Sequence, residues 1–250
     1  MVSLKIIYRI SSVILRDVKK FLLVILILCS RDAAAQQHYN AWFRASFNYS
    51  LYEKLTSVLE LQYRKQNGLG NVNFCDKELM HSARLWFNYQ HSKQILYAIS
   101  PIAVFKHNRI IQLQEDELAT PVRELRMTAM LKAQTTLKSK LFFVSSTKAE
   151  YRIFDNKSKD ILRMRQLAGL TYQINEKMEV FASDEIFLNA TGASALHIFD
   201  QNRILFQLAI SPKPQWKFEV GFVHINRMLS SSVDILDDEN FFINVNYTLQ

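Results

Sequence analysis

The sequence contains little glycine, proline or cysteine. Its 250 residues include five Gly, four Pro and two Cys. Five glycines are too few for a collagen-like or linker-rich chain. None of them forms the GxGxxG or GxxxxGK[ST] patterns that hold dinucleotide or triphosphate groups. Because 49% of the residues are hydrophobic, the composition also excludes a disordered chain. What remains is a folded domain without an obvious nucleotide site.

Long apolar runs are also lacking. The longest is the eight-residue FLLVILIL at 21–28, which follows a basic start and precedes Ala-Ala-Ala at 33–35. This order is typical of a secretory signal peptide. Eight helical residues span about 12 Å, well short of the roughly 30 Å core of a bilayer. We therefore predict that 1–35 is a signal peptide that is removed, and that 36–250 forms one exported domain.

Removal of this segment changes the charge balance. It carries six of the 31 Lys and Arg residues and two of the 23 Asp and Glu residues, which leaves 25 basic and 21 acidic residues. The net charge falls from +8 to +4, so the sequence gives little support for nucleic-acid binding. Only Cys75 remains, which excludes an intramolecular disulfide in the exported domain.

The exported part alternates apolar and polar residues. Over 39–51, Phe43, Phe47 and Leu51 share one face, whereas Arg44 and Asn48 share the other. This period of two is typical of a β-strand. The same pattern recurs at 59–64, 79–90, 125–134, 149–153, 204–210 and 241–249.

The connectors between these segments alternate in length. Short turns fall near 52–55, 91–94, 135–138, 175–177 and 212–215, and longer ones near 65–77, 106–121, 155–160, 190–200 and 228–239. Long strands joined in this way predict an all-β fold, an antiparallel up-and-down transmembrane β-barrel in the outer membrane of a Gram-negative cell. Eleven strands can be placed, but such barrels normally have an even number. We expect ten to twelve strands and prefer twelve, the additional strand being partly hidden in the long connector 106–121.

The apolar face should then meet lipid. Aromatic residues that gather near strand ends are typical of interfacial girdles; they are Tyr39, Trp42, Tyr49, Tyr63, Tyr89, Tyr97, Tyr172, Trp216 and Tyr247. His81, Gln166 and Asp184 also fall on this face, unless a bulge near Asp184 turns it inward. A soluble secreted β-barrel, with the two faces exchanged, is the alternative.

The inward face is rich in charge. The predicted lumen charge lattice consists of Arg44, Glu60, Arg64, Arg84, Glu124, Arg126, Glu150, Arg152, Arg163, Arg165, Glu185 and Arg203, and Glu78 and Glu219 share its face. A cross-strand lattice of ion pairs would constrict the lumen. The alternative is an arginine-lined pore suited to anionic solutes.

Catalytic and metal-binding patterns are sparse. HExxH is absent, and His107 and His197 fall in long loops without an evident Ser partner. The acidic runs 115–117 and 237–239 also fall in long loops, where a solvated surface is favoured over a Ca²⁺ site. We predict no enzymatic activity, no metal and no cofactor; the alternative is a lipid-modifying enzyme of the outer leaflet.

Several short motifs occur in a characteristic order. They are Trp42, Glu60-x-x-x-Arg64, Glu124-x-Arg126, Glu150-x-Arg152, Arg163-x-Arg165, Asp184-Glu185-Ile-Phe-Leu-Asn189 and Asp200-Gln-Asn-Arg203. Over 38–250 the chain resembles an outer-membrane barrel family defined only as a domain of unknown function (2490-type). The resemblance implies a barrel whose Glu and Arg residues face the lumen, and no established activity.

These observations predict a structural or passive small-solute transport role. We expect contact with outer-membrane lipid and lipopolysaccharide, and with the barrel-assembly machinery during biogenesis. The sequence ends in Gln250 rather than in the aromatic residue usual for outer-membrane barrels.

Overall fold

The computed structural model describes residues 38–156, 159–228 and 235–249. The predicted signal peptide at 1–35 lies outside the described residues and stays a prediction. The described chain is all-β: eleven strands form one closed barrel. The predicted fold class is therefore confirmed.

The strands are 12 to 17 residues long. They are β1 (His38–Tyr52), β2 (Leu55–Gln66), β3 (Lys77–Gln90), β4 (Ile95–His107), β5 (Val122–Lys138), β6 (Leu141–Phe154), β7 (Ile161–Asn175), β8 (Met178–Thr191), β9 (Phe199–Lys213), β10 (Trp216–Met228) and β11 (Ile235–Leu249). Two 3-10 helices lie in the connectors, at Gln114–Leu118 and Ala195–His197. Neither helix of the described chain has the length and apolar character needed to cross a membrane.

The described barrel has an odd number of strands, not the preferred twelve. The segment 106–121 contains no further strand; beyond the end of β4 it forms a loop with one 3-10 helix. Each strand pairs antiparallel with the next, so an odd count makes β1 and β11 run in the same direction. They close the barrel in parallel, with His38 beside Asp238 and Tyr49 beside Leu249.

Side-chain burial follows the alternation that the sequence shows. On β5, Glu124, Arg126 and Thr128 are buried inside the barrel, whereas Leu125 and Met127 are exposed on its outer surface. Pro101, in the middle of β4, lies where the pairing with β5 skips between Ser100 and Ala103. A bulge suits proline because proline has no N–H to give to a ladder.

A register shift on β3 overturns the expected position of Glu78. Arg64 pairs with Met80, but the next residue of β2, Lys65, pairs with Glu78. Leu79 is the extra residue, and both Leu79 and Met80 are buried. Glu78 is exposed and accepts a hydrogen bond from His81 at 3.2 Å, so it does not belong to the lumen face.

The acidic run 237–239 lies in a strand, not in the loop that was expected. Because β11 begins at Ile235, Asp238 is completely buried in the barrel. Asp237 accepts a hydrogen bond from Asn226, and Glu239 contacts His224 at 2.8 Å. The run is therefore part of the ladder. In the same way, β5 continues to Lys138 and moves the turn expected near 135–138 to 139–140.

Polar residues on the outer surface are paired with one another. Asp184 accepts a hydrogen bond from Asn202 on the next strand, and Gln166 contacts Thr147 and Ser145 at 2.6 and 2.9 Å. The register around Asp184 is regular in both of its ladders, so no bulge turns it inward.

Candidate pore lining

The barrel encloses a cavity of about 1010 Å³. Its lining includes ten Arg and one Lys of the described residues, against the three acidic residues Glu60, Glu185 and Asp200. The cationic residues are Arg44, Arg64, Arg84, Arg109, Arg126, Lys148, Arg152, Arg163, Arg165, Arg203 and Arg227. The cavity surface is therefore strongly cationic.

One wall of the lumen is a lattice of ion pairs centred on Glu150 of β6. This carboxylate is fully buried and receives hydrogen bonds from Arg163 at 2.5 and 2.9 Å. Arg165 donates to it at 2.8 Å and Arg126 at 3.5 Å. The three arginines come from β7 and β5, on either side of Glu150, because alternate residues of neighbouring strands project to one face.

Glu124 and Glu185 extend this lattice to both sides. Glu124 accepts from Arg126 at 2.6 Å, from Arg152 at 2.8 and 3.0 Å, and contacts Nε2 of His107 at 2.9 Å. Glu185 accepts two hydrogen bonds from Arg165, at 2.8 and 3.0 Å. We call the group Glu124, Arg126, Glu150, Arg152, Arg163, Arg165 and Glu185 the paired wall.

Four further cations of the cavity also have carboxylate partners. Arg44 lies 3.7 Å from Glu60 and 3.3 Å from Glu219. Lys148 adds a contact to Glu185 at 3.3 Å, Arg227 contacts Asp238 at 2.7 Å, and Arg109 contacts Asp116 at 3.1 Å. Carboxylates thus hold these side chains in place around the lumen.

Three arginines of the lumen differ from all of these. No carboxylate of the described residues lies within 4 Å of Arg64, Arg84 or Arg203, which we call the unpaired arginines. Each stacks on aromatic rings instead. Arg64 lies 3.6 Å from the centre of the Trp42 ring, Arg84 lies 5.0 Å from that of Trp86, and Arg203 lies 4.4 Å from that of Phe187. Cation–π contact holds a guanidinium without cancelling its charge.

Trp42 does not belong to an interfacial girdle, contrary to the expectation from its position near a strand end. It is only 7% exposed and lines the cavity, because it shares the inward face of β1 with Arg44. It packs against Val223, Ile225 and Phe242. Gly221 permits this packing, since a Cβ at Gly221 would lie 2.6 Å from the Phe242 ring and 2.2 Å from the carbonyl oxygen of Phe206.

The loop between β4 and β5 folds over one mouth of the cavity. Gln66 anchors it, because its amide donates to the carbonyl of Arg109 at 2.9 Å and accepts from the N–H of Ile111 at 3.2 Å. Ile110 packs on the cluster that contains Leu79 and Phe105. Arg109, Ile110, Ala119 and Thr120 thereby line the cavity.

Asp116 organises this loop from within. Its carboxylate accepts hydrogen bonds from the backbone N–H groups of Gln112 and Leu113, at 3.0 and 2.9 Å, and from Arg109 at 3.1 Å. Desolvation acts to raise the pKa of Asp116, but these donors outweigh it and hold that pKa below its usual value. The loop is therefore arranged around a charged carboxylate.

The parallel seam contains a buried polar cluster that the sequence did not reveal. His38 Nδ1 lies 2.9 Å from Asp238, and His38 Nε2 lies 2.9 Å from Gln66. Asn40 donates to Asn240 at 2.8 Å. No local sequence pattern marks this cluster, because its residues on β1 and β11 are about 200 positions apart and their register depends on closure of the barrel.

Two histidines also differ from their expected positions. His107 is the last residue of β4, not a loop residue. His197 does have a Ser neighbour, since Ser194 Oγ lies 2.8 Å from its Nδ1. This exposed contact joins residues three apart in a single 3-10 turn, so it is a local turn interaction. Among the described residues, no three His, Cys, Asp or Glu side chains form a group suited to a metal ion.

All twelve residues of the predicted lattice lie on the lumen side of the barrel. Nine of them form ion pairs, and Arg64, Arg84 and Arg203 do not. The aromatic partners of the arginines and the lining cations Lys148 and Arg227 are not among the residues predicted from the sequence. Strand alternation already places Trp42 on the polar face with Arg44, although its position near a strand end suggested a girdle, and it could have revealed Phe105 and Phe187 in the same way.

Comparison with known proteins shows the family to which the chain belongs. The family model "Protein of unknown function (DUF2490)" matches residues 39–234. The chain belongs to this family, as its motifs indicated. No curated protein sequence is detectably similar to the chain.

A solved structure shares the fold. It is described as the NanC porin in a rhombohedral crystal form, with a TM-score of 0.52 and 10% sequence identity. The match covers 85% of this chain and 99% of that chain. At this identity the similarity shows that the two chains share a barrel fold.

Proposed function

We propose that this protein is an outer-membrane barrel through which small anionic solutes diffuse passively. The observation that carries the proposal is the excess of cationic residues in the cavity lining, eleven against three acidic ones among the described residues. Glu124 and Glu150 are fully buried behind arginine side chains. A solute therefore meets positive charge first, which attracts anions and repels cations in a narrow passage.

The outer surface supports placement in a membrane. Large apolar side chains such as Phe43, Leu125, Ile186 and Phe241 are exposed around the barrel. Near the short turns the exposed aromatic residues include Tyr49, Tyr52, Tyr89, Tyr97, Tyr172 and Trp216. An apolar band that ends in aromatic residues suits the boundary between hydrocarbon and headgroups.

The pairing of polar groups on the outer surface also favours this placement. An unpartnered polar group in hydrocarbon is costly, and hydrogen bonding lowers that cost. Asp184 is bonded to Asn202, and Gln166 is bonded to both Thr147 and Ser145. By contrast, the arginines of the paired wall face the lumen.

The proposal includes the steps that bring the barrel to the membrane. A signal peptide at 1–35 would direct export, and the barrel-assembly machinery would insert the chain, so that lipid and lipopolysaccharide surround its wall. The proposed role is non-enzymatic, in keeping with a porin-like barrel. Fractionation of the cell envelope tests the location. We expect recovery with the outer membrane and faster gel migration before heating, whereas recovery from the soluble fraction would contradict it.

Planar-bilayer recording tests the transport role. In a KCl gradient we expect open channels with a reversal potential that shows chloride preference over potassium. Lys93→Gln changes an exposed turn residue and serves as the control that should leave this potential unchanged. The absence of any channel at all voltages would instead indicate a plugged, structural barrel, and a cation preference would overturn the proposal.

A further inference from the structure

Two of the unpaired arginines converge on the same aromatic ring. The guanidinium carbons of Arg64 and Arg203 lie 3.6 and 5.5 Å from the centre of the Trp42 ring. They come from β2 and β9, which are not neighbours in the barrel, and all three side chains line the cavity. Two like charges drawn to one ring repel each other unless an anion lies between them.

Each of the two arginines is held by a glutamine. Arg64 donates to the amide oxygen of Gln62 at 3.1 Å. The amide of Gln201, oriented with its oxygen toward Arg203, accepts from Nε and Nη2 at 3.0 and 2.7 Å. A neutral amide fixes the direction of a guanidinium but leaves its charge uncompensated, unlike the carboxylates of the paired wall.

Donors at this place have no partner within the described chain. The Nε of Arg64 and the indole Nε1 of Trp42 are buried and make no hydrogen bond. Trp42 is more than nine-tenths buried. Buried donors without a partner are costly, and a bound acceptor removes that cost. The group that this place lacks is therefore a hydrogen-bond acceptor with a negative charge, such as a carboxylate oxygen.

The wall beside these donors is apolar. Trp42, Val223 and Phe242 form one packed cluster, with Leu205 against it, and all four residues line the cavity. A hydrated inorganic anion gains nothing from such a surface, whereas the body of an organic acid buries its own apolar area there.

We propose that Arg64, Arg203 and Trp42 form a binding site for a small organic carboxylate. The carboxylate group lies between the two guanidinium groups, whose planar donor forks match its two oxygens. The apolar part of the ligand packs on Trp42, Val223 and Phe242. This inference rests on the proposed pore, because the site lies in its lumen and would bind anionic solutes, saturably, as they pass through.

Equilibrium dialysis with radiolabelled benzoate, on the full-length protein in a neutral detergent, tests the site. We expect saturable binding, at least tenfold tighter than that of acetate measured by competition. Benzyl alcohol, which has the ring but no charge, should not compete. Acetate that competes as well as benzoate, or benzyl alcohol that competes equally, would overturn the proposal.

Variants locate the binding. The double variant Arg64→Gln/Arg203→Gln should lose at least tenfold in affinity. The matched double variant Lys54→Gln/Lys93→Gln removes the same charge at exposed residues between strands, outside the cavity lining, and should bind as the wild type does. If the first variant fails to fold, Gln62→Glu/Gln201→Glu gives each arginine a carboxylate in a similar shape. It should also abolish binding, and unchanged affinity in it would contradict the site.

The two proposals fail in different ways. Saturable benzoate binding by a barrel that shows no channel supports the site and contradicts the pore. Chloride-selective channels in a protein that does not bind benzoate support the pore and overturn the site. In a barrel that has both, benzoate should reduce the chloride current with the same concentration dependence as its binding, and the Arg64→Gln/Arg203→Gln variant should lose this block.

Discussion

The lumen holds its arginines in two ways. In the paired wall, carboxylates hold the arginines; the single residue Glu150 receives hydrogen bonds from Arg126, Arg163 and Arg165. Elsewhere Arg64, Arg84 and Arg203 have aromatic or amide neighbours and no carboxylate within 4 Å in the described chain. Both groups lie on inward strand faces. The difference indicates that the first group is committed to the structure of the barrel and the second is available to a solute.

The energetics of the two groups should differ accordingly. A buried ion pair offsets a large desolvation cost only if both partners stay, so the loss of one is strongly destabilising. When an arginine without a carboxylate partner is replaced, no buried carboxylate loses its ion pair. Substitutions of similar size should therefore have very different effects on folding in the two groups.

The largest effect is expected for Glu150→Gln. This change removes the carboxylate shared by three arginines and should lower the free energy of unfolding by about 3–5 kcal/mol. Urea unfolding of the detergent-solubilised barrel measures it. Glu179→Gln is the control, because its partner Lys217, at 2.8 Å, is partly exposed and such pairs contribute about 0–1 kcal/mol. Equal losses in the two variants would remove the distinction.

A smaller effect is expected from Gly221→Ala, which acts on the Trp42 side. The new Cβ would lie 2.2 Å from the carbonyl oxygen of Phe206, so the backbone must move, at about 1–3 kcal/mol. In Gly169→Ala, on β7, the new Cβ would meet side-chain atoms only, the Phe181 ring at 2.7 Å and the Ser183 Cβ at 2.8 Å, so the backbone needs to move less. Thermal unfolding on gels should show the larger loss for Gly221→Ala, and the reverse order would contradict the role of this glycine.

The loop at the cavity mouth should respond to Asp116→Ala. The change removes acceptors for Gln112, Leu113 and Arg109, each hydrogen bond contributing about 1 kcal/mol. Trypsin should then cleave after Arg109 several-fold faster. Asp155→Ala, which alters the contact of another loop with Arg123, should leave this cleavage unchanged.

The same loop should depend on pH. The folded-state pKa of Asp116 lies below its usual value. Its contribution is therefore complete above the unfolded pKa and is lost as the pH falls through the lower folded pKa. Cleavage by pepsin within 108–121 should rise in that acidic range in the wild type, and the rise should be absent in Asp116→Ala. An identical pH response in both proteins would contradict the role of this carboxylate.

The smallest effect on stability is expected for Arg84→Met. The Arg84 side chain has no carboxylate partner in the described chain and contacts the rings of Trp86 and Phe105. A methionine can pack on the same rings, so the replacement should change the free energy of unfolding by only about 0.5–1 kcal/mol. The chloride preference in bilayers should nevertheless decrease, because one lining charge is lost. Arg126→Met, in the paired wall, should cost several times more stability, and similar costs would contradict the comparison.

Particular residues show how far the sequence predicted this structure. Alternation identified the fold class and the inward face of Arg44, Glu124 and Arg203, because a strand projects successive side chains to opposite sides. It failed at Glu78, since the extra residue Leu79 shifts the register and local patterning does not reveal a bulge. It also failed for the number of strands, since evenness is a tendency of the class and closure of this barrel is parallel.

The sequence predicted which charged residues face the lumen but not which of them contact one another. Which carboxylate meets which arginine depends on the stagger of neighbouring strands, and this is set by all eleven ladders of the described barrel together. Trp42 was placed near a membrane boundary by its position, whereas Arg64 and Arg203 reach it from β2 and β9. No local pattern relates residues so far apart in the chain.

The sequence by itself determined the strands, their two faces and the cationic lumen, because these follow from the period of two and the residue types on each face. Only the tertiary structure decided that the barrel closes in parallel. It also decided that the four carboxylates of the lattice pair with five of its arginines, and that two of the remaining arginines meet at Trp42 with glutamines beside them. The physical reason is that charge compensation depends on distances across the lumen, which exist only once the barrel has closed.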